Sequence, residues 1–216
     1  CNPIQYAEHR KTLENVICTA GKFGATHVST FAGAWEGKPV ESAYEEFGKV
    51  FRELADLAEE KGVKLGIENC LMDGTWEHAT CNIGFNPKAW EVMFEEVKND
   101  NFGLEWEPTH QMVQLIDPVT ELRKWCKKIV HIHGKDATID WDAVRHSGIS
   151  GAVPFVWHRM PGFGDTNWRD IISILRSNGY EDDICIEGYH DPVYSGELEM
   201  TGQLHALNYL KWCRGG

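Results

Sequence analysis

The sequence predicts a parallel α/β fold laid out on a (β/α) barrel plan. Three observations predict it. Helix-patterned and strand-patterned segments alternate along the chain. The strand-patterned runs are short and apolar, as strands covered on both faces are. Several of them end in an ionisable side chain, as strands do when their carboxyl ends share one functional rim.

Taken in order, a helix is expected around Ala7 to Lys22, followed by a strand over Ala25 to Phe31. Glu41 to Gly62 is the clearest helix: Tyr44, Phe47, Val50, Phe51, Leu54, Leu57 and Ala58 recur at three-to-four spacing, and Gly62 supplies the stop. Val63 to Glu68 is the strand after it. Pro87 opens a helix carrying Trp90, Met93, Phe94 and Val97, and Phe102 to Glu107 follows as a strand. Leu122, Trp125 and Cys126 mark the next helix, and Ile129 to His133 the next strand. Between Gly134 and Pro161 the pattern weakens to a long loop with one short strand near Phe155 to Trp157. Ile171, Ile172 and Leu175 make Trp168 to Asn178 helical, Gly179 closes it, and Ile184 to Glu187 is the last strand.

Six strands result, whereas a closed barrel has eight and typically about 250 residues. The expectation is therefore one domain over residues 1–216, a (β/α)8 TIM barrel lacking its first two N-terminal β/α units. The chain opens on Cys1-Asn2-Pro3 without an initiator methionine, which fits a sequence that starts inside a longer product.

Composition narrows the function classes. Asp and Glu outnumber Lys and Arg by 33 to 21, giving a formal charge of -12, and no basic run occurs, so nucleic acid is a poor partner. No apolar stretch is long enough to span a bilayer. Seven cysteines without CxxC spacing read as reduced thiols of a cytoplasmic protein. A homo-oligomer is left open.

Four strand ends carry the chemistry: Glu68, Glu107, His133 and Glu187. A parallel barrel gathers strand carboxyl ends on one rim, so these side chains are expected to converge. Three carboxylates and one imidazole suit a hard or borderline divalent ion, Mn²⁺ first, with Mg²⁺, Co²⁺ and Zn²⁺ also compatible. Without a cation three packed acids repel. Alone, each has a plain structural reading as a salt-bridge partner or core histidine; recurrence at four strand ends favours the functional one. Pro161-Gly162-Phe163-Gly164 reads equally as a ligand-covering loop or an ordinary turn. Trp35, Trp106 and Trp168, near strand ends, are candidates to stack on a sugar ring, with Trp90 and Trp125 in the core. His190 and Asp191, just past Glu187, could orient a substrate or support the ligand residues, but read first as solvated loop residues.

Ile67-Glu68-Asn69-Cys70, the run Gly103 to His110, His131 to Asp136, Arg159 to Asp165 and Ile186-Glu187 resemble, in order, motifs of the sugar phosphate isomerase/epimerase group of xylose-isomerase-like TIM barrels. The resemblance implies that Glu68, Glu107, His133 and Glu187 ligate the metal and that Glu68 and Glu187 are also the catalytic acid/base pair. It further implies that His110, Lys135 and Arg159 contact a small sugar or polyol substrate. There are departures. Family members usually carry Asp where this chain has Glu107. The ketose 3-epimerase branch has Arg where Ile139 stands and Glu where Gly74 stands, which lowers the weight of a free-ketohexose epimerase.

A divalent ion on adjacent carbonyl and hydroxyl oxygens acidifies the carbon-bound proton and stabilises the resulting enediolate. Returning the proton gives isomerisation or epimerisation, the leading expectation. Loss of a β-leaving group from a keto-sugar or keto-inositol gives a dehydratase or lyase, the first alternative. An apurinic-site endonuclease and a non-catalytic remnant are the others.

Overall fold

The computed structural model describes residues 1–216, which form two compact units. The first comprises Cys1–Trp106 with Lys128–His131, and the second Glu107–Lys127 with Ile132–Gly216. The first unit holds α1 (Ala7–Ala20), β1 (His27–Thr30), α2 (Tyr44–Glu60), β2 (Lys64–Glu68), α3 (Pro87–Glu96) and β3 (Phe102–Trp106). β4 (Ile129–Gly134) starts in the first unit and ends in the second. The second unit adds α4 (Thr109–Met112), α5 (Pro118–Trp125), β5 (Asp136–Ile139), α6 (Trp141–Ser147), β6 (Val156–Arg159), α7 (Trp168–Ser177), β7 (Ile184–Ile186) and α8 (Glu199–Arg214).

The main sheet runs β1-β2-β3-β4-β7. β1 pairs parallel to β2 and β2 to β3, with Thr30 opposite Ile67 and Glu68 opposite Glu105. β4 pairs parallel to β7, with His133 opposite Cys185. These are five of a closed barrel's eight strands.

Helix starts follow local chemistry. Asn86 caps α3 by accepting from the Lys88 and Ala89 amides with Pro87 in the first turn, Asp117 caps α5 through Thr120, and Asn167 caps α7 through Asp170. Phe47 and Phe51 on α2 stack at 4.6 Å and meet Phe102 of β3 at 6.1 and 6.0 Å, a buried aromatic knot. Each such ring contributes roughly 1.5–3 kcal/mol through burial.

Gly66 and Gly103 stand opposite each other on β2 and β3. A Cβ on Gly66 would lie 2.9 Å from Val130 Cγ2, and one on Gly103 2.5 Å from Val130 Cγ1 and against the Lys128 carbonyl oxygen. Their bare backbone is what lets the start of β4 lie so close.

Three expectations need correction. The strand near Phe155 to Trp157 is real, as β6, but it does not join the main sheet: it pairs antiparallel with β5, Ile139 opposite Val156 and Asp136 opposite Arg159. β5 is only four residues long, and α6 buries no side chain, so neither carries an apolar period that the sequence would reveal. Trp106 and Trp168 are fully buried core residues, unable to stack on a sugar. Asp191 is no solvated loop residue; it is 2% exposed.

Candidate functional site

In the second unit the end of β4 and the residues following β3 and β7 bring five predicted site residues together. Glu107, directly after β3, is 0% exposed. His110 lies one turn along, in α4, and its Nε2 is 2.9 Å from Glu107 Oε1. His133 Nδ1, on β4, lies 3.2 Å from Glu187 Oε2 and 3.7 Å from Glu107 Oε2. Lys135, two residues on and 3% exposed, donates from Nζ to Glu187 Oε1 at 2.9 Å and lies 3.9 Å from Glu107 Oε2. Glu187, just past β7, is tied to β4 by its amide, which donates to the Gly134 carbonyl at 3.1 Å.

The alternation of β4 explains the clustering: residues two apart share one face of a strand, so His131, His133 and, past the strand end, Lys135 follow one another along the chain in step. Burial alone would push the Glu107 carboxyl up. The charge and hydrogen bond of His110, the hydrogen bond of His133 and the charge of Lys135 together hold it well below the usual carboxylate range.

A second group of residues, of which the resemblance gave a role to Arg159 alone, frames this cluster. Asp136 at the start of β5 is buried and accepts from the amides of Ala137 at 2.8 Å, Thr166 at 3.0 Å and Gly162 at 3.2 Å, so it pins the 161–166 loop. Gly162 and Thr166 are thereby tied to one carboxylate. Burial pushes the Asp136 carboxyl up against these stabilising hydrogen bonds. Arg159 at the end of β6 gives its Nε to Asp191 Oδ2 at 3.2 Å. Asp191 also accepts from the amides of Met160, Val193 and Tyr194 at 2.7, 2.8 and 2.8 Å. His158, opposite Ala137 on β6, packs edge-on against His110 and His190, with ring centroids 5.9 and 5.6 Å apart. Burial first, then the charges of Lys135 and His110, push its imidazole down to about 4. Its one sequence signal was the cluster His158-Arg159 ahead of the Met160-Pro161 turn.

Glu68 closes β2 in the first unit and is half-buried. The side chain of Asn82 fixes the backbone there: its Nδ2 donates to the carbonyls of Glu68 at 2.9 Å and Cys70 at 2.8 Å, and its Oδ1 accepts from Ala32 and Gly84 at 3.0 Å. Asn82 too was invisible as a single loop asparagine.

One donor atom each from Glu107, His133 and Glu187 lie within 4.8 Å of one another. Two carboxylates facing one imidazole in a partly buried setting are a donor set of the kind that binds divalent cations, and the residues fit such an ion. No helix is long and apolar enough to cross a membrane.

A family model described as xylose isomerase-like TIM barrel matches residues 2–211. An inosose dehydratase of Clostridium tetani is 26% identical over 182 residues, covering 82% of this chain and 57% of that protein. The chain thus spans less than two thirds of this curated relative. A xylose isomerase domain protein from Planctomyces limnophilus superposes with a TM-score of 0.72 at 20% identity, over 96% of this chain and 65% of that one. The IOLI protein, solved with a bound zinc atom, gives 0.66 at 22% identity over 97% and 69%. These structural likenesses establish the shared fold.

Proposed function

The chain belongs to the xylose isomerase-like TIM-barrel family, and from that premise we propose that it performs divalent-metal-dependent dehydration of a keto-inositol or related cyclic keto-sugar. The observation that carries the reading is the Glu187 carboxylate held between Lys135 at 2.9 Å and His133 at 3.2 Å, beside buried Glu107. One carboxylate base and several N–H donors stand in one place, which is what an elimination needs. The dehydratase relative favours this over the isomerase or epimerase expected first.

In this proposal Glu107, His133 and Glu187 would hold the ion, and the family resemblance gives Glu68, at the carboxyl end of β2, as the further ligand. When bound, a divalent ion polarises the substrate carbonyl as a Lewis acid. Glu187 takes the proton from the carbon next to that carbonyl. Lys135, already paired to Glu187, directs an N–H at the oxygen on which charge develops. His110, in contact with Glu107, delivers a proton to the β-hydroxyl as its C–O bond breaks, so that a C=C bond forms and water departs. Arg159, immobilised by Asp191, contacts the outer hydroxyls. Glu68 is the second acid/base group, able to return a proton to carbon.

The test is incubation with an inosose and Mn²⁺ in deuterium oxide, followed by ultraviolet absorbance and mass spectrometry. A conjugated product lacking one water is expected, with Glu187→Gln slower by at least ~10²-fold through loss of the base. Deuterium uptake without loss of water would replace dehydration by isomerisation or epimerisation. Turnover unaffected by Glu187→Gln would remove that residue from the chemistry.

A further inference from the structure

A second cluster lies wholly within the first unit, on residues to which the proposed reaction gives no part. His27 opens β1, Glu105 is the fourth residue of β3 and His131 the third of β4. One donor atom from each falls within 4.8 Å of the other two. The imidazoles of His27 and His131 stack with centroids 4.0 Å apart and planes 22° from parallel. Glu105 is 6% and His131 7% exposed.

The backbone explains how residues of β1, β3 and β4 meet. Gly66 and Gly103, opposite each other on the intervening strands, present no side chain, and Val130 fills that space. A methyl group at either glycine would meet Val130 within 2.9 Å, so the two bare positions let the strand that carries His131 lie close.

We propose that His27, Glu105 and His131 form a second metal site, selective for a borderline divalent ion such as Zn²⁺. Two imidazoles and one carboxylate are a ligand set that binds zinc at roughly 2.0–2.2 Å per donor, with tetrahedral donors about 3.4 Å apart. Binding requires the donors, now within 4.8 Å of one another, to draw in and the two stacked rings to turn so that their nitrogens converge on one ion. His27 has the accompanying contact such ligands carry: Thr26 Oγ1 lies 3.2 Å from its Nδ1, which orients the ring and leaves Nε2 to coordinate. The charges agree as well, because a buried carboxylate with two neutral imidazoles offers one negative charge to a dication. The site is structural in character: its ligands come from three strands, so a bound ion clasps β1, β3 and β4 together.

The experiment separates this site from the one assigned to dehydration. Three forms of the chain are loaded with ZnCl₂, passed through a desalting column and assayed for zinc by mass spectrometry. They are the native chain, Glu107→Gln/His133→Gln, and that double variant carrying Glu105→Gln as well. Expected are about two, one and zero ions per chain. Glu105→Gln keeps the side chain's shape, and circular dichroism checks that each form is folded. Cobalt(II) in the double variant is expected to show the intense visible bands of a four-coordinate ion, and a zinc-edge anomalous map of soaked crystals a peak between the three residues. Retention of the ion in the triple variant overturns the proposal. So does a folded double variant that binds none and shows no cobalt bands, in which case the cluster is a stacked, hydrogen-bonded pair only. Dehydration retained by the double variant, with one zinc still bound, would sink the proposed reaction and leave this site standing.

Discussion

His158 offers a sharp test of how the second unit is built. Its Nδ1 is buried without a hydrogen-bond partner, and the imidazole is held down to about 4 by burial, Lys135 and His110, whereas a histidine in the unfolded chain titrates near ~6.5. Because the folded value is depressed, the unfolded chain binds a proton that the folded chain refuses once the pH falls below the unfolded value. Stability is therefore lost as the pH drops from about 6.5 towards 4 and levels off below that. The full span of some 2.5 units corresponds to about 3 kcal/mol, and roughly 2 kcal/mol of it falls between about pH 7 and pH 5. Urea unfolding at those two pH values, on the native chain and on His158→Gln, measures the difference. The variant is expected to lose about 2 kcal/mol less on acidification. Equal pH dependence in the two chains would show that His158 takes up its proton freely in the fold, and the reasoning from its burial and neighbours would fail.

Other outcomes follow from the same geometry. Gly103→Ala is expected to destabilise by at least ~2 kcal/mol through overpacking against Val130 and the Lys128 carbonyl, whereas Gly21→Ala, whose Cβ would meet Lys61 O at an ordinary 3.6 Å, should change stability by under ~1 kcal/mol; denaturant titration compares them. Burial would raise the Asp191 carboxyl, but three backbone amides and Arg159 leave it lowered. Its contribution is complete above the unfolded value of ~3.9 and lost as the pH falls through the folded one. Asp191→Asn should therefore weaken the fold by roughly 1–3 kcal/mol at neutral pH and flatten the acid limb of an unfolding profile. Asp136→Ala should leave three amides without their acceptor and raise hydrogen exchange at Gly162 and Thr166, read by mass spectrometry, with little change in α1 to α3.

The parts of the fold legible in the sequence were those with a strong period. α2 and α7 each bury a continuous apolar stripe, and β2, β3 and β4 are apolar runs with a chemical group at the end, so both type and place could be read. A short strand at β6 was legible, but its pairing with β5 was not, because α6 separates the two segments and only Asp136 and Ala137 among their residues are buried. α8 buries only Gly202, Ala206 and Leu210 along a narrow line, too small a stripe to announce a helix. Within the site, Glu107, His110, His133, Lys135 and Glu187 were readable because each follows an apolar run or belongs to a family motif. Asp136, Asp191 and Asn82 were not, since what gives them weight is the set of amides that the folded backbone aims at them.

The anchoring of Arg159 bears on how a ligand would be chosen. A guanidinium free in solvent wraps itself around whatever anion or hydroxyl arrives, and loses rotamer freedom in doing so. Here Asp191 already fixes the arm, and three backbone amides fix Asp191. If Arg159 contacts the substrate as proposed, the molecule that docks would meet a stiff fork at a set height, so discrimination would fall on the shape of the newcomer, and a guest whose oxygens sit an ångström out of place would find no accommodating partner.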